Sequence, residues 1–257
     1  MIYVCVPVKN NAATVGLLLW KIRQVFGQTT QEYQLLVTDD GSSDETPEVL
    51  QRYQRALPLT VVRPAAPGTA ASYTALLEEA IRRSDRLKRD AAVLIPADFR
   101  ISPEGIPELL RRIESGADLA VAETPPDGLP VAWRLLRRLT PWLLRTGTRV
   151  PGLQDFLSGC LAVRLASARG ALRDRDASPF LQTEGLASRA ELVARLAAAA
   201  RQTAAVPLPS MPLGLPSPAS PLALALQLRR LGRMLRPRPD QAAADTSPAA
   251  HAQSMAS

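Results

Sequence analysis

Short apolar runs alternate with amphipathic stretches along the first half of the chain, and this alternation constrains the fold more than any other feature. Between the runs, apolar residues recur at helical spacing. The β-rich runs span residues 2–8, 33–38, 59–62, 91–95 and 117–122. The fourth run is wholly apolar, which is typical of a strand buried on both faces. The pattern predicts an α/β fold in which helices cover both faces of a mostly parallel, Rossmann-like sheet.

The pattern changes after residue 125. An Arg-rich amphipathic helix, a short strand and an Ala-rich helix are predicted over 131–145, 156–163 and 183–200. Residues 211–236 are predicted to form a basic amphipathic segment. Residues 237–257 consist largely of Ala, Pro, Ser and Asp, which predicts a disordered tail. We therefore expect a single domain over residues 1–210, followed by a Pro/Ala-rich C-terminal tail.

The charge and the cysteines restrict the partners and the compartment. All but three of the 31 basic residues are arginines, and the net charge is +7, which favours an anionic ligand or surface. Aromatic residues make up 4% of the chain, too few for the stacking platforms of nucleic-acid-binding proteins. Cys5 and Cys160 are not spaced like the cysteines of a metal site or a disulfide framework. No run reaches the ~20 apolar residues of a membrane span. We expect a cytoplasmic protein, with peripheral contact at the inner membrane surface as a further hypothesis.

The loops after the strands are the expected ligand sites, because parallel sheets bind ligands beyond the carboxyl ends of their strands. The loop 7–11 lacks the glycines of dinucleotide-binding folds and P-loops, which excludes those two classes. Asp39 and Asp40 end the second run; they could accept hydrogen bonds from a base or ribose, or satisfy a turn. Asp98 follows the fourth run and could bind Mg²⁺ or Mn²⁺, or cap a turn. The topology brings all three loops to one edge of the sheet.

Six segments together carry a resemblance to a known family. They are Val6-Pro7-Val8-Lys9-Asn10, the stretch 37–46 (VTDDGSSDET), Pro96-Ala97-Asp98, the stretch 155–160 (DFLSGC), and 190–193 with 206–208 (AELV and VPL). The first three resemble the opening and the Asp-x-Asp element of family 2 glycosyltransferases with the GT-A fold. The others resemble the polyprenyl-phosphate branch of that family, which is similar to dolichol-phosphate mannose synthases. The resemblance extends over about residues 1–210.

The resemblance implies a glycosyltransferase that moves a sugar, with inversion, from a nucleoside-diphosphate sugar to an acceptor, expected to be a polyprenyl phosphate. Asp98 would be catalytic, as the ligand of a weakly bound Mg²⁺ or Mn²⁺ that enters with the nucleotide-sugar. Apart from the resemblance, Glu184 and Glu191 lie on or next to the predicted helix 183–200 and are candidate general bases for a hydroxyl acceptor, with Glu191 assigned as catalytic; the alternative is a solvated-face or structural role. The expected substrate-binding residues are Pro7, Lys9, Asp39, Asp40, Arg63, Gly68, Arg100, Arg138 and Asp155.

Two residues depart from the family pattern near the expected metal site. Pro96 stands where the first Asp of the Asp-x-Asp element is usual, and proline has no side-chain ligand. Arg100 stands where a neutral amide is usual; its charge would repel a cation or offset diphosphate charge directly. These departures keep a second hypothesis open, a non-catalytic nucleotide-sugar-binding homologue with a degenerate metal site.

Overall fold

A computed structural model describes residues 1–144, 153–173, 178–209 and 220–235. Within these ranges, seven strands form one sheet in the order β3-β2-β1-β4-β6-β5-β7. The strands are β1 Ile2–Val8, β2 Tyr33–Asp39, β3 Leu59–Val62, β4 Ala91–Leu94, β5 Leu119–Glu123, β6 Leu161–Arg164 and β7 Thr203–Pro207. Strand β6 runs antiparallel to β4 and β5, and the other neighbouring pairs are parallel. The prediction of a mostly parallel sheet is confirmed.

Helices cover both faces of this sheet. They are α1 Ala12–Gly27, α2 Thr46–Gln54, α3 Thr69–Arg83, α4 Ile106–Glu114, α5 Val131–Leu144, α6 Leu165–Arg173, α7 Leu186–Ala199 and α8 Pro221–Met234. Helices α1, α2 and α4 bury their apolar stripes on one face of the sheet. Helices α3, α6 and α7 share the core on the other face, where α5 and α8 also pack. Successive β1 side chains alternate between these two cores, as strand geometry requires.

The second half of the chain differs in detail from the sequence expectations. Strand β6 begins at Leu161 rather than at residue 156, because residues 156–160 form a loop with Gly159 at a φ of +69°. Helix α7 begins three residues later than expected, after Gly185 at a φ of +62°. Helix α6 and strand β7 were not predicted. The basic segment 211–236 is described from residue 220 as α8, and the expected tail 237–257 lies outside the described residues.

Gly232 allows α8 to pack directly on the end of α5. A Cβ at this position would overlap the backbone carbonyl oxygen of Leu143. We expect Gly232→Ala to lower the free energy of unfolding by about 1–3 kcal/mol, since neither backbone can yield without moving a helix. Chemical denaturation measures the difference. Gly170→Ala is the matched control, because nothing lies within 4 Å of its Cβ in α6, and it should not destabilise. Equal losses in the two variants would contradict this account.

Candidate active site

The loops after β1 and β2 are joined by hydrogen bonds at the carboxyl edge of the sheet. Strands β1 and β2 pair in parallel with Val8 opposite Asp39, so both loops leave the sheet at the same level. Asn10 adopts a φ of +53°, and its Oδ1 accepts a 2.8 Å bond from the amide of Ser43. The next amide, that of Asn11, donates to Thr46 Oγ1 at 2.9 Å. The two predicted ligand loops therefore form one braced unit.

Asp40 ties this unit to the start of helix α3. The residue is 7% exposed, and its amide donates to the Val8 carbonyl at 2.9 Å. Its Oδ2 lies 3.0 Å from Lys9 Nζ, and its Oδ1 accepts a 2.5 Å bond from the amide of Gly68. Asp39 instead accepts bonds from the amide and hydroxyl of Ser42, at 2.9 and 2.6 Å. Asp39 thus supports the turn, and Asp40 faces the cleft described below.

Asp98, after β4, is paired with an arginine from a distant part of the chain. Its Oδ2 lies 2.9 Å from Nη2 of Arg189 on α7, and its Oδ1 accepts a 3.2 Å bond from the amide of Arg100. The Arg189 side chain passes over Gly159, where a Cβ would lie 2.8 Å from Arg189 Cδ. Burial alone would lower the pKa of Arg189, but the nearby Tyr73 hydroxyl and Asp98 raise it. The guanidinium is therefore fully charged.

These loops enclose an open cleft of about 240 Å³. Its lining consists of Pro7, Val8, Lys9, Asn11, Asp40, Thr69, Ser72, Tyr73, Pro96, Ala97, Asp98 and Arg189. Among the described residues, the hydroxyls of Ser72 and Tyr73 are buried and have no hydrogen-bond partner. Burial raises the pKa of Tyr73, although the Arg189 charge opposes the shift, so its hydroxyl remains protonated at neutral pH. The cleft thus holds two ion pairs and two unused hydroxyl groups.

The two candidate general bases are engaged in hydrogen bonds with the backbone, Glu184 at the edge of the cleft and Glu191 in the interior. Glu191 is fully buried, and its Oε2 accepts the amides of Gln182 and Thr183 at 2.9 Å and the Thr183 hydroxyl at 2.7 Å. Its Oε1 lies 2.7 Å from Nη2 of Arg195. Glu184 caps helix α3 by accepting a 2.7 Å bond from the Thr69 amide. Neither residue is among those that line the cleft.

The other predicted binding residues also lie outside the cleft lining. Arg63 and Arg138 are exposed, and Arg100 contributes its backbone amide to Asp98. Asp155 is buried with Arg137, whose Nη2 lies 3.5 Å from Asp155 Oδ2 and 3.0 Å from Glu123 Oε1. The structure therefore brings Pro7, Lys9, Asp40 and Asp98 together, with Asp39 and Gly68 as supports. It places the remaining predicted residues apart from them.

The donor set of the cleft does not suit a divalent cation. Mg²⁺ and Mn²⁺ favour carboxylate oxygens, and Asp98 is the carboxylate expected to bind one. Its pairing with Arg189 places a fixed positive charge where the ion would sit, and Pro96 offers no side-chain ligand. Among the described residues, no group of three or more His, Cys, Asp or Glu side chains is placed to hold a metal. The cleft therefore presents a guanidinium beside Asp98, where the sequence predicted a cation.

Comparison with known proteins decides the family. Residues 3–177 match the sequence profile described as Glycosyl transferase family 2. The chain belongs to this family. The family 2 chain is 28% identical over 144 residues to a dolichol-phosphate mannosyltransferase of Pyrococcus furiosus, covering 54% of this chain and 39% of that protein. It is also 28% identical over 116 residues to an undecaprenyl-phosphate 4-deoxy-4-formamido-L-arabinose transferase of Photorhabdus laumondii, covering 45% and 34%.

Solved structures support the GT-A fold of this family 2 chain. Glucosyl-3-phosphoglycerate synthase from Mycobacterium tuberculosis, in complex with Mn²⁺, uridine-diphosphate-glucose and phosphoglyceric acid, matches with a TM-score of 0.63 and 20% identity. The match covers 93% of this chain and 81% of that one. The chain spans between a third and two fifths of the length of the two curated relatives above. The resemblance inferred from the sequence motifs is thus confirmed at the level of family and fold.

Sequence reasoning missed the side chains that α3 and α7 contribute to the cleft. Ser72 and Tyr73 lie in the first turn and a half of α3, where the sequence pattern indicates ordinary core positions of an amphipathic helix. Arg189 lies 91 positions after Asp98, and no local spacing connects the two. Helix α7 packs against the sheet, and this packing places Arg189 at the carboxyl ends of the strands.

Proposed function

We propose that this family 2 chain transfers a sugar from a nucleoside-diphosphate sugar to a lipid phosphate, with inversion at the anomeric carbon. The donor would lie in the cleft at the carboxyl ends of β1, β2 and β4, where the GT-A fold brings the binding loops together. Pro7, Lys9 and Asp40 would hold the nucleoside. Asp98 and Arg189 would lie toward the diphosphate. The family assignment supports the reaction class, and the cleft supports the placement of the donor.

Asp40 has the geometry of a nucleoside acceptor group. Its carboxylate is preorganised by Lys9 and by the Gly68 amide, which leaves lone pairs on both oxygens for the N–H and O–H groups of a base or ribose. Lys9 is more than half exposed and can follow the ligand. A divalent ion that arrives with the nucleotide-sugar would be held mainly by the diphosphate oxygens, since Asp98 is paired with Arg189.

The state of the carboxylates carries the proposal of a phosphate acceptor. Both acidic side chains in the cleft lining are ion-paired, Asp40 with Lys9 and Asp98 with Arg189. Of the candidate bases, Glu191 is buried with both oxygens hydrogen-bonded, and the Oε2 atom of Glu184 is engaged by the first two amides of α3. A hydroxyl acceptor needs a base to remove its proton, whereas a phosphate monoester is already ionised at neutral pH. An anionic acceptor fits the cleft because it needs no general base.

The proposed step balances without any further reactant. An oxygen of the acceptor phosphate attacks the anomeric carbon from the side opposite the leaving group. The bond from that carbon to the diphosphate breaks, and the nucleoside diphosphate leaves with the electron pair. The negative charge that grows on the diphosphate would be stabilised by the Arg189 guanidinium.

A transfer assay with matched acceptors tests this function. Radiolabelled UDP- and GDP-sugars are incubated with undecaprenyl phosphate or with undecaprenol in detergent, and lipid-extractable label is counted. We expect label in the lipid phosphate sample and none with the alcohol, since the alcohol has no ionised oxygen. Transfer to the alcohol would contradict the phosphate acceptor. Nucleoside-diphosphate binding without any transfer would favour the non-catalytic homologue.

The acceptor proposed here lies in a membrane, and helices α5 and α8 offer a surface for docking on it. We call this the outer helix surface; its exposed apolar members are Val131, Leu135, Leu139, Trp142, Leu222, Leu226 and Met234. On each helix these residues lie opposite the buried stripe. The two helices also carry five exposed arginines, besides the buried Arg137, and no acidic residue. Apolar side chains flanked by arginines complement an anionic lipid surface. None of the described helices is long and apolar enough to cross a bilayer.

Vesicle co-sedimentation tests this surface. We expect the chain to bind vesicles that contain phosphatidylglycerol and to bind pure phosphatidylcholine vesicles weakly, since each arginine near an anionic surface contributes about 1 kcal/mol. The double variant Leu135→Ser with Leu226→Ser should lose at least about tenfold in binding, because two leucines no longer enter the interface. Leu17→Ser on α1 is the matched control, being similarly exposed on the opposite face of the sheet. Equal binding by all variants would contradict the proposed surface.

A further inference from the structure

We propose that Arg189 takes the place of the divalent cation in this chain, so that a nucleoside diphosphate binds in the cleft without metal. The inference rests on the proposed nucleotide-sugar site and goes beyond it by naming the group that meets the diphosphate. It also assigns Asp98 a positioning role toward Arg189 in place of metal ligation.

The position of the guanidinium carries the first part of the argument. Arg189 Nη2 lies 2.9 Å from Asp98 Oδ2, close to where an Asp-bound cation would be. Its Nη1 lies 3.4 Å from the carbonyl oxygens of Leu157 and Ser158. The side chain is 13% exposed, so it is held within the protein yet still reaches the cleft. A guanidinium has further N–H donors for phosphate oxygens once one edge is fixed.

The backbone around Arg189 is arranged to admit this side chain. Gly159 is at a φ of +69°, and a Cβ there would collide with Arg189 Cδ and with Pro96 Cγ, at 2.8 and 3.0 Å. Pro96 therefore packs in the space beside the arginine, where the family's first metal-binding aspartate is usual. Pro96 supplies no ligand at this position, and Arg189 supplies a positive charge beside it.

Two buried hydroxyls on residues of the cleft lining point to an anionic ligand. Ser72 and Tyr73 line the cleft, and their hydroxyl oxygens are buried and lack a hydrogen-bond partner among the described residues. Buried polar groups without partners are rare, and such groups in a ligand cleft are typically satisfied by the ligand. Both belong to the first turns of α3. Diphosphate oxygens would accept from these hydroxyls and from the guanidinium together.

Calorimetric titration with UDP and with GDP, each in EDTA and in MnCl₂, tests the proposal. For the nucleotide that binds, we expect the affinity in EDTA to lie within about threefold of that in Mn²⁺, since the protein supplies the countercharge. Arg189→Gln should lower the affinity in EDTA by at least about tenfold and leave binding of the matching nucleoside unchanged. Arg189→Lys should recover part of the loss. Arg201→Gln, an exposed arginine just beyond the same helix, is the matched control for charge.

Asp98→Asn distinguishes most sharply between a diphosphate held by Arg189 and a metal ion held by Asp98. If Arg189 meets the diphosphate, this variant keeps its affinity in EDTA or gains some, because the asparagine amide oxygen still accepts from Arg189 while a competing negative charge is removed. If Asp98 binds a metal, the variant loses affinity in Mn²⁺. Affinity that rises more than about thirtyfold with Mn²⁺ in the wild type, or that is unchanged by Arg189→Gln, would overturn the inference and leave the proposed function standing. Absence of any nucleoside or nucleotide binding would overturn both.

Discussion

Arg137→Met is expected to lower the free energy of unfolding by about 3–5 kcal/mol, the cost of leaving buried carboxylates without their partner. The Arg137 side chain is 6% exposed and lies between Glu123 and Asp155. Its Nη2 also donates to the Thr124 carbonyl at 2.6 Å. Glu123 in turn accepts the amides of Gln154 and Asp155, both at 2.8 Å. The cluster therefore fastens α5 and the loop before β6 to the end of β5.

Chemical denaturation of Arg137→Met beside Arg138→Met measures this effect. Arg138 is the next residue on α5 and is exposed, so its loss should change stability by less than about 0.5 kcal/mol. Each variant removes one positive charge and introduces one methionine. The two positions differ in burial. A loss below about 1 kcal/mol in Arg137→Met would mean that the buried cluster relaxes without its arginine.

Asp40→Ala is expected to weaken nucleoside-diphosphate binding by about 1–3 kcal/mol, a loss of about 5–150-fold. The carboxylate is the acceptor that the β2 loop presents to the cleft. Its removal also leaves Lys9 Nζ and the Gly68 amide nitrogen without the carboxylate oxygens that lie 3.0 and 2.5 Å from them. Binding should fall for the nucleoside as well as for the diphosphate. This pattern is distinct from that of Arg189→Gln, which affects only the diphosphate.

Calorimetry with UDP and GDP, and with uridine and guanosine, measures the Asp40→Ala effect. Asp127→Ala is the control for loss of one exposed carboxylate outside the cleft lining. Thermal unfolding of both variants shows whether the loops stay assembled. If the affinity of Asp40→Ala equals that of wild type, the carboxylate serves the turn alone, which is the second interpretation that the sequence left open.

Local sequence patterns were sufficient for the fold and for the side chains on the strand-end loops. The alternation of runs predicted a mostly parallel sheet with helices on both faces, and the motifs predicted family 2. The end of a strand can be located from the few residues around it. Pro7, Lys9, Asp40 and Asp98 could therefore be placed at one edge of the sheet from sequence alone. The register of β1 with β2 and β4 then brings them together.

Only the tertiary structure decided which charges meet. Arg189 reaches Asp98 across 91 positions, and Arg137 rather than Arg138 turns inward to Asp155. The rotation of each helix sets these contacts, and it depends on packing along its whole length rather than on the residues near the charge. Glu191 satisfies backbone amides for the same reason, because α7 buries the face that carries it. The sequence determined the fold and the edge that holds the cleft, and packing determined its ion pairs.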